Sequence, residues 1–253
     1  MKIGVCMKAE EALARFPATA DYVDILSYPL LDLDGDTRRA LALAVRDGSL
    51  PVYSSVCLFP GDMHLTGEAY DLAAIRDFSD RVLNAQAELG IKTVVFGSGN
   101  SRRIPDGFSH DRAWAQLEEA TASLADLAKG YGQRIAIEPL SAKEDNTFNR
   151  IGETIDFIAR LGRSNLGVTL DFYHFYNGGE DFSVLREHRD LVYHAHVSSH
   201  LRKRPEGDEG WRVFGEEVAL LREIGCADYL TYEGAYGSFD ELCDIVADLK
   251  AHL

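Results

Sequence analysis

The chain has 253 residues, 41 acidic and 26 basic, and a formal net charge of −15. A balance that negative repels phosphate backbones and anionic lipid, which argues against nucleic acid and membrane surfaces as partners. At 46% hydrophobic and 26% charged residues, the composition is that of a folded globular chain and not of a disordered one.

The start, MKIGVCMKAEEALARF, carries Lys2 but no long apolar core, so it does not read as a signal peptide. No apolar run approaches the roughly 18 residues needed to span a membrane. Cys6, Cys57, Cys226 and Cys243 are scattered without a CxxC pair. They read as reduced thiols, small core residues of a cytoplasmic protein.

In chain order, the strand Ile3–Cys6 is followed by a short helix near Glu10–Phe16, and the strand Tyr22–Leu26 by a helix over Thr37–Asp47. The strand Pro51–Cys57 leads to Glu68–Leu89, where Leu72, Ile75, Val82, Leu83 and Leu89 recur at near-helical spacing and Gly90 is a stop signal. Thr93–Phe96 leads to His110–Lys129, with Trp114, Leu117, Leu124 and Leu127 in a stripe, Ser109 and Asp111 as caps, and Gly130 as the end. Arg134–Glu138 precedes a helix over Glu153–Leu161, and Leu166–Asp171 precedes a weak helix at Phe182–His188. Leu191–Val197 precedes Phe214–Ile224, ended by Gly225, and Tyr229–Glu233 precedes Phe239–Leu249. Strands so short and apolar suit parallel pairing under helices on both sides. Eight such units at about 30 residues each match a (β/α)8 TIM barrel of roughly 250 residues, an α/β single domain over 1–253. An open doubly wound sheet would want a Gly-rich turn after the first strand, and GVCMKAEE offers none.

Chemistry in a TIM barrel sits where strands run into the following loops. Strand five ends in IAIEPL with Glu138, strand six in VTLDFYHF with Asp171 and His174, strand seven in VYHAHVSSH with His194 and His196, and strand eight in LTYEGAY with Glu233. A carboxylate among Ile137, Leu140, Leu170 and Phe172 is costly unless it is paired or metal-bound. Four ligand-type residues at four adjacent strand ends point to a divalent metal site. Three carboxylates and one imidazole suit Mn²⁺ best, with Co²⁺, Mg²⁺ or Zn²⁺ compatible. His194 and His196 share a strand face, and His196, nearer the rim, is the expected ligand. His194 reads as a hydrogen-bonded supporting or core histidine.

At these residues the chain resembles the sugar phosphate isomerase/epimerase group of the xylose isomerase-like TIM-barrel superfamily. The segments FPGDMHLTG, FGSGNSRRIPDGFS, IEPLSAKEDN, DFYH, HAHV and YEG carry the resemblance, from about Pro51 to Gly234. It implies that Glu138, Asp171, His196 and Glu233 are the metal ligands of a ketose 3-epimerase-like site, with Glu138 and Glu233 also exchanging a substrate proton. It further implies substrate contacts from Glu144, His174 and Arg202. Ser141, where relatives often have Asn, and the VSSH loop, where many have Asp near Ser199, depart from the pattern and bear on substrate identity.

The implied activity is metal-dependent isomerisation or epimerisation of a small sugar, sugar acid or sugar phosphate. One carboxylate removes a proton next to a carbonyl, the metal stabilises the resulting enediolate, and a second carboxylate returns the proton. Arg102 and Arg103 after strand four, and Arg202, Lys203 and Arg204 after strand seven, fall in rim loops. They are candidates for holding a substrate phosphate or carboxylate, against simple pairing with Asp106, Glu206 or Asp208. Trp114 reads as core, and Trp211 as either core or a sugar platform. Three other readings share the barrel: an inosose dehydratase-like or C-glycoside-cleaving lyase, a non-catalytic binding barrel, and an endonuclease IV-like DNA-repair nuclease. The nuclease would need extra His ligands on strands three and four and an Asp-x-His after strand seven, where this chain has Phe96–Gly97 and RKRPEGDEG. Relatives are monomers, dimers or tetramers, so a homo-oligomer is compatible with the sequence.

Overall fold

Short runs of β-branched and apolar residues form eight strands, β1 (Lys2–Met7), β2 (Tyr22–Leu26), β3 (Val52–Val56), β4 (Thr93–Phe96), β5 (Arg134–Ile137), β6 (Leu166–Asp171), β7 (Val192–Val197) and β8 (Tyr229–Tyr232). In the computed structural model, which describes all of Met1–Leu253, each strand pairs in parallel with the next. β8 pairs with β1 through Lys2↔Tyr229 to Val5↔Tyr232, which closes the barrel. The helices are α1 (Ala9–Ala14), α2 (Gly35–Asp47), α3 (Leu72–Glu88), α4 (Gly99–Arg102), α5 (His110–Gly130), α6 (Ile151–Leu161), α7 (Phe172–Gly178), α8 (Ser183–Glu187), α9 (Gly207–Ile224) and α10 (Phe239–Ala251). None is long and apolar enough to cross a membrane.

Local chemistry sets the helix limits. The Asp71 side chain accepts from the backbone N–H groups of Ala73 and Ala74 at the start of α3, and Ser109 does the same for Arg112 in α5. Gly162 and Gly225 end α6 and α9 in the left-handed conformation. The inner helix faces (Ile75, Val82 and Leu83 of α3; Leu117, Leu124 and Ala128 of α5) pack on the outside of the barrel in one hydrophobic core.

Three differences from the sequence expectation bear on the barrel rim. α9 starts at Gly207 and not at Phe214, because Gly207 and Gly210, loop signals in sequence, are carried into the first turns by Asp208 and Glu209 at the helix's positive end. α7 follows β6 without a loop, because Asp171 both ends the strand and caps the helix by accepting from the His174 N–H at 2.9 Å. α4 adds one turn after β4 and carries Arg102 inward.

The barrel interior is more polar than its strands suggest. Asp24 is fully buried; its Oδ2 lies 2.7 Å from His194 Nε2 and accepts from Thr231 Oγ1 at 2.6 Å, while Oδ1 accepts from the Ser54 N–H. The Tyr22 hydroxyl reaches Thr231 at 2.8 Å, and Tyr53 stacks on Tyr229 beside His194. His194 is thus a hydrogen-bonded interior histidine, as the sequence suggested.

One buried acid lies outside the barrel, on the inner face of α9. Burial raises the Glu217 carboxyl from its ordinary 4.5 to about 8. The folded chain then holds a proton that the unfolded chain releases, so stability falls as pH rises from about 4.5 to about 8. Glu217→Gln is expected to flatten that slope, read by urea unfolding at pH values across the window.

Candidate active site and metal centre

Four strand ends bring the expected ligands together. Glu138 is the first residue past β5, Asp171 the last of β6, His196 lies in β7, and Glu233 follows β8, held by its N–H to the Val197 carbonyl at 3.1 Å. His196 Nδ1 stands 2.9 Å from Glu138 Oε1, 3.3 Å from Glu233 Oε2 and 4.0 Å from Asp171 Oδ2. One donor atom from each of the four lies within 4.8 Å of the others. Asp171 spends Oδ1 on capping α7, which leaves Oδ2 buried and without a partner.

Three carboxylates this close, out of water, strain one another. Burial, and then the charges of Glu233 and Glu138, push the Asp171 carboxyl well above the usual carboxylate range. Burial acts the same way on Glu233, but the His196 charge and hydrogen bond, with Arg202, outweigh it and hold this carboxyl at about 2. His196 is driven well above 6.5 because Glu233 and Glu138 overcome the opposing effect of burial. Protons held against crowded carboxylates are what a divalent cation replaces, and the unpartnered Asp171 oxygen gives it a free donor. The residues fit a metal ion.

The mouth is built from Glu144, His174 and Arg202. Arg202 Nη1 reaches both Glu144 oxygens at 3.1 Å, and Nη2 reaches Glu233 Oε2 at 3.4 Å. It also lies over the Tyr173 ring. Arg202 adopts φ 56°, a left-handed conformation costly for a side chain of this size, and its loop is tied down by Arg202 N–H to Ser199 O and Ala235 N–H to Arg202 O. His174 Nδ1 accepts from the Ser141 N–H at 3.0 Å. Burial holds the ring below its ordinary value, so it is neutral and carries its proton on Nε2, a buried donor with no partner. The Ser141 departure therefore matters here through its backbone.

The other basic residues behave differently from the rim-anion expectation. Arg102 is fully buried and bonds Asp145 Oδ2 at 2.7 Å, the Phe96 carbonyl at 3.0 Å and the Glu138 carbonyl at 2.7 Å. It lies between the rings of Phe96 and Phe148 and ties the end of β4 to the end of β5. Arg103 donates to the Glu144 carbonyl at 2.6 Å. Arg204 pairs with Glu206 and with Asp248. Of the five, Arg202 alone touches a carboxylate group of the cluster. Trp114 packs against Phe148 and Phe157, and Trp211 stacks on His252, so neither serves the site.

Other participants were not legible as such in sequence. Gly97, just past β4, leaves the space that Glu138 fills; a Cβ there would overlap Glu138 Oε2. Cys57 stands past β3 at φ 53°, and burial, with the Glu233 and Glu138 charges, pushes its thiol up to about 12. Burial, followed by the charges of Glu233 and Asp24, raises the Cys6 thiol as well. The four cysteines are free, as expected, but all are partly exposed, and Cys6 and Cys57 border the site instead of filling the core.

Residues 18–250 match the family model of the xylose isomerase-like TIM barrel. The chain belongs to this family. It is similar to the 3-dehydro-D-guloside 4-epimerase of Escherichia coli K12, 25% identical over 249 residues and covering 92% of each chain. It is also similar to the D-psicose 3-epimerase of Agrobacterium fabrum, 29% identical over 158 residues, 60% of this chain and 53% of the relative. Among solved structures it matches the apo 3-keto-D-glucoside 4-epimerase of Escherichia coli with TM-score 0.82 at 22% identity over 99% of both chains. The IOLI protein with a bound zinc atom matches with TM-score 0.68 at 16% identity over 100% of this chain and 96% of that one. At these identities the structural matches speak to the fold.

Arg102→Met would strip the Asp145 carboxylate of its buried cation. Loss of about 3–5 kcal/mol is expected from breaking such a pair, measurable by chemical denaturation.

Proposed function

We propose that the chain is a divalent-metal-dependent epimerase or isomerase of a small keto sugar, with Glu138, Asp171, His196 and Glu233 as ligands and Mn²⁺ as the favoured ion. The observation that carries this reading is the convergence of those four donor side chains, from four consecutive strands, within 4.8 Å. The names of the relatives, epimerases and isomerases of sugars, support the reaction class.

A divalent ion held there would draw charge from the carbonyl and neighbouring hydroxyl oxygens of the sugar and so acidify the adjacent carbon. Glu138 and Glu233 approach His196 from β5 and β8, so two carboxylates can serve one carbon from different sides. Removal by one and return by the other inverts the centre. His174 donates from Nε2 to a sugar oxygen, and Glu144 accepts from a hydroxyl. Arg202 binds across the mouth and adds to the larger effect of His196 in keeping the Glu233 carboxylate ionised. Arg102 is committed to the scaffold and Arg204 to Glu206 and Asp248, so neither is free to hold a substrate phosphate.

With Mn²⁺ present, the purified protein is expected to exchange solvent deuterium into a ketose. Glu138→Gln and Glu233→Gln should each slow the exchange by about 10²–10⁴-fold. An exchange activity untouched by both substitutions refutes the proton-transfer pair. Chelation should abolish exchange, and added Mn²⁺ should restore it. Gly97→Ala, which displaces Glu138, should weaken Mn²⁺ binding by about 10–100-fold in calorimetry.

A further inference from the structure

The His196 ring belongs to two groups of donors. With Cys6 and Asp24 it forms a second set, whose ligand atoms also lie within 4.8 Å of one another. The barrel register puts them there. Cys6 of β1 and Asp24 of β2 are paired residues on neighbouring strands, so they stand at one level of the barrel. Cys6 follows the Val5↔Tyr232 pair as Glu233 follows β8, which sets the thiol beside the carboxylate cluster.

The two ring nitrogens of His196 are used unequally. Nδ1 lies 2.9 Å from Glu138 Oε1, whereas Nε2 is buried without a hydrogen-bond partner. A neutral imidazole has one N–H and one lone pair. Spent from Nδ1, the lone pair goes to an ion in the carboxylate cluster. Spent from Nε2, it goes to an ion beside Cys6 and Asp24, and the Nδ1–H stays on Glu138. The second arrangement is the usual one for a metal-bound histidine, whose other ring nitrogen donates to a carboxylate.

Asp24 is oriented for the same task. Thr231, His194 and the Ser54 N–H take three of its roughly four acceptor positions, which fixes the carboxylate and leaves one position open. Cys6 is a free thiol. Burial, and then the charges of Glu233 and Asp24, hold the proton on its sulfur. The same charges draw a divalent ion, which displaces that proton to solvent. A thiolate, an imidazole and a single carboxylate make a softer set than the cluster, which has three carboxylates and no sulfur.

We propose that Cys6, Asp24 and His196 Nε2 form a second cation site, which takes a thiophilic divalent ion of the Zn²⁺ or Cd²⁺ class, and that its occupancy excludes an ion from the carboxylate cluster. The exclusion rests on the epimerase reading, in which His196 ligates Mn²⁺; the site itself rests on its own donors. A soft ion then acts as an inhibitor, because it takes His196 from the cluster and keeps Glu138 hydrogen-bonded to the ring.

The test titrates the metal-free protein with Cd²⁺ and reads the ultraviolet charge-transfer band of a Cd–thiolate bond, which carboxylate and imidazole ligands do not give. Wild type and Cys57→Ser should show the band at about one equivalent of Cd²⁺ per chain, and Cys6→Ser should lack it. Mn²⁺ at about ten times its Kd should raise the Cd²⁺ midpoint about tenfold, by mass action at the shared ring. Cd²⁺ that binds in calorimetry without the band, or a band that survives Cys6→Ser, overturns the site and leaves the epimerase reading standing. A midpoint indifferent to Mn²⁺, in a protein that binds Mn²⁺, overturns the exclusion. A protein that shows the band but neither binds Mn²⁺ nor exchanges deuterium into a ketose defeats the epimerase reading, and the exclusion with it, while the soft-ion site stands.

Discussion

Three carboxylates and one imidazole share a space too small and too dry for three independent negative charges. Glu138, Asp171 and Glu233 converge on His196 Nδ1, and all four donor atoms lie within 4.8 Å. In water such carboxylates would separate. Here the closed ring of strands prevents it, since each is fixed at the end of a different hydrogen-bonded strand. The outcome is visible in opposite directions of ionisation: Asp171 driven to keep a proton, Glu233 held at about 2. A divalent cation bound there would offset the crowded charge and take the place of the Asp171 proton.

Much of the surrounding structure maintains that crowding. Gly97 gives Glu138 room, and Arg102 grips the Glu138 carbonyl from a buried position that Asp145 makes tolerable. The Asp145 carboxylate is in turn held by the Thr147 hydroxyl and the Asn146 N–H. Asp24, His194 and Thr231 form a satisfied polar layer inside the barrel. A buried ion pair is weak evidence for net stability, because desolvation opposes the attraction. Its geometric consequence is clearer: Arg102 links two strand ends, one of which carries a proposed catalytic group.

The charge distribution divides between outside and mouth. Three of 41 acidic residues belong to the cluster and Asp24, Asp145 and Glu217 are buried elsewhere, so most of the acidity lies on the outer surface. Basic residues that look like an anion site in sequence are dispersed by the fold. Arg102 goes into the interior, Arg103 to a backbone carbonyl, Arg204 to α10, and Arg202 to Glu144 and Glu233. That dispersal removes Arg102 and Arg204 from the candidates for holding a substrate anion.

The sequence alone determined the barrel and the cluster. Periodicity distinguishes strand from helix, eight repeats of strand and helix close on one topology, and the strand-end rule names Glu138, Asp171, His196 and Glu233 before any coordinate is known. Tertiary structure decided what depends on side-chain direction and on contacts distant in sequence. Arg102 meets Asp145 43 residues away, and Asp24 meets His194 170 residues away. Gly97 is needed only because Glu138 lies against it, and Arg202 lies over Glu144 and Glu233 only because its loop adopts a left-handed turn. Local pattern carries the period of the backbone, while the pairing of buried charges depends on which strand ends the closed barrel makes neighbours.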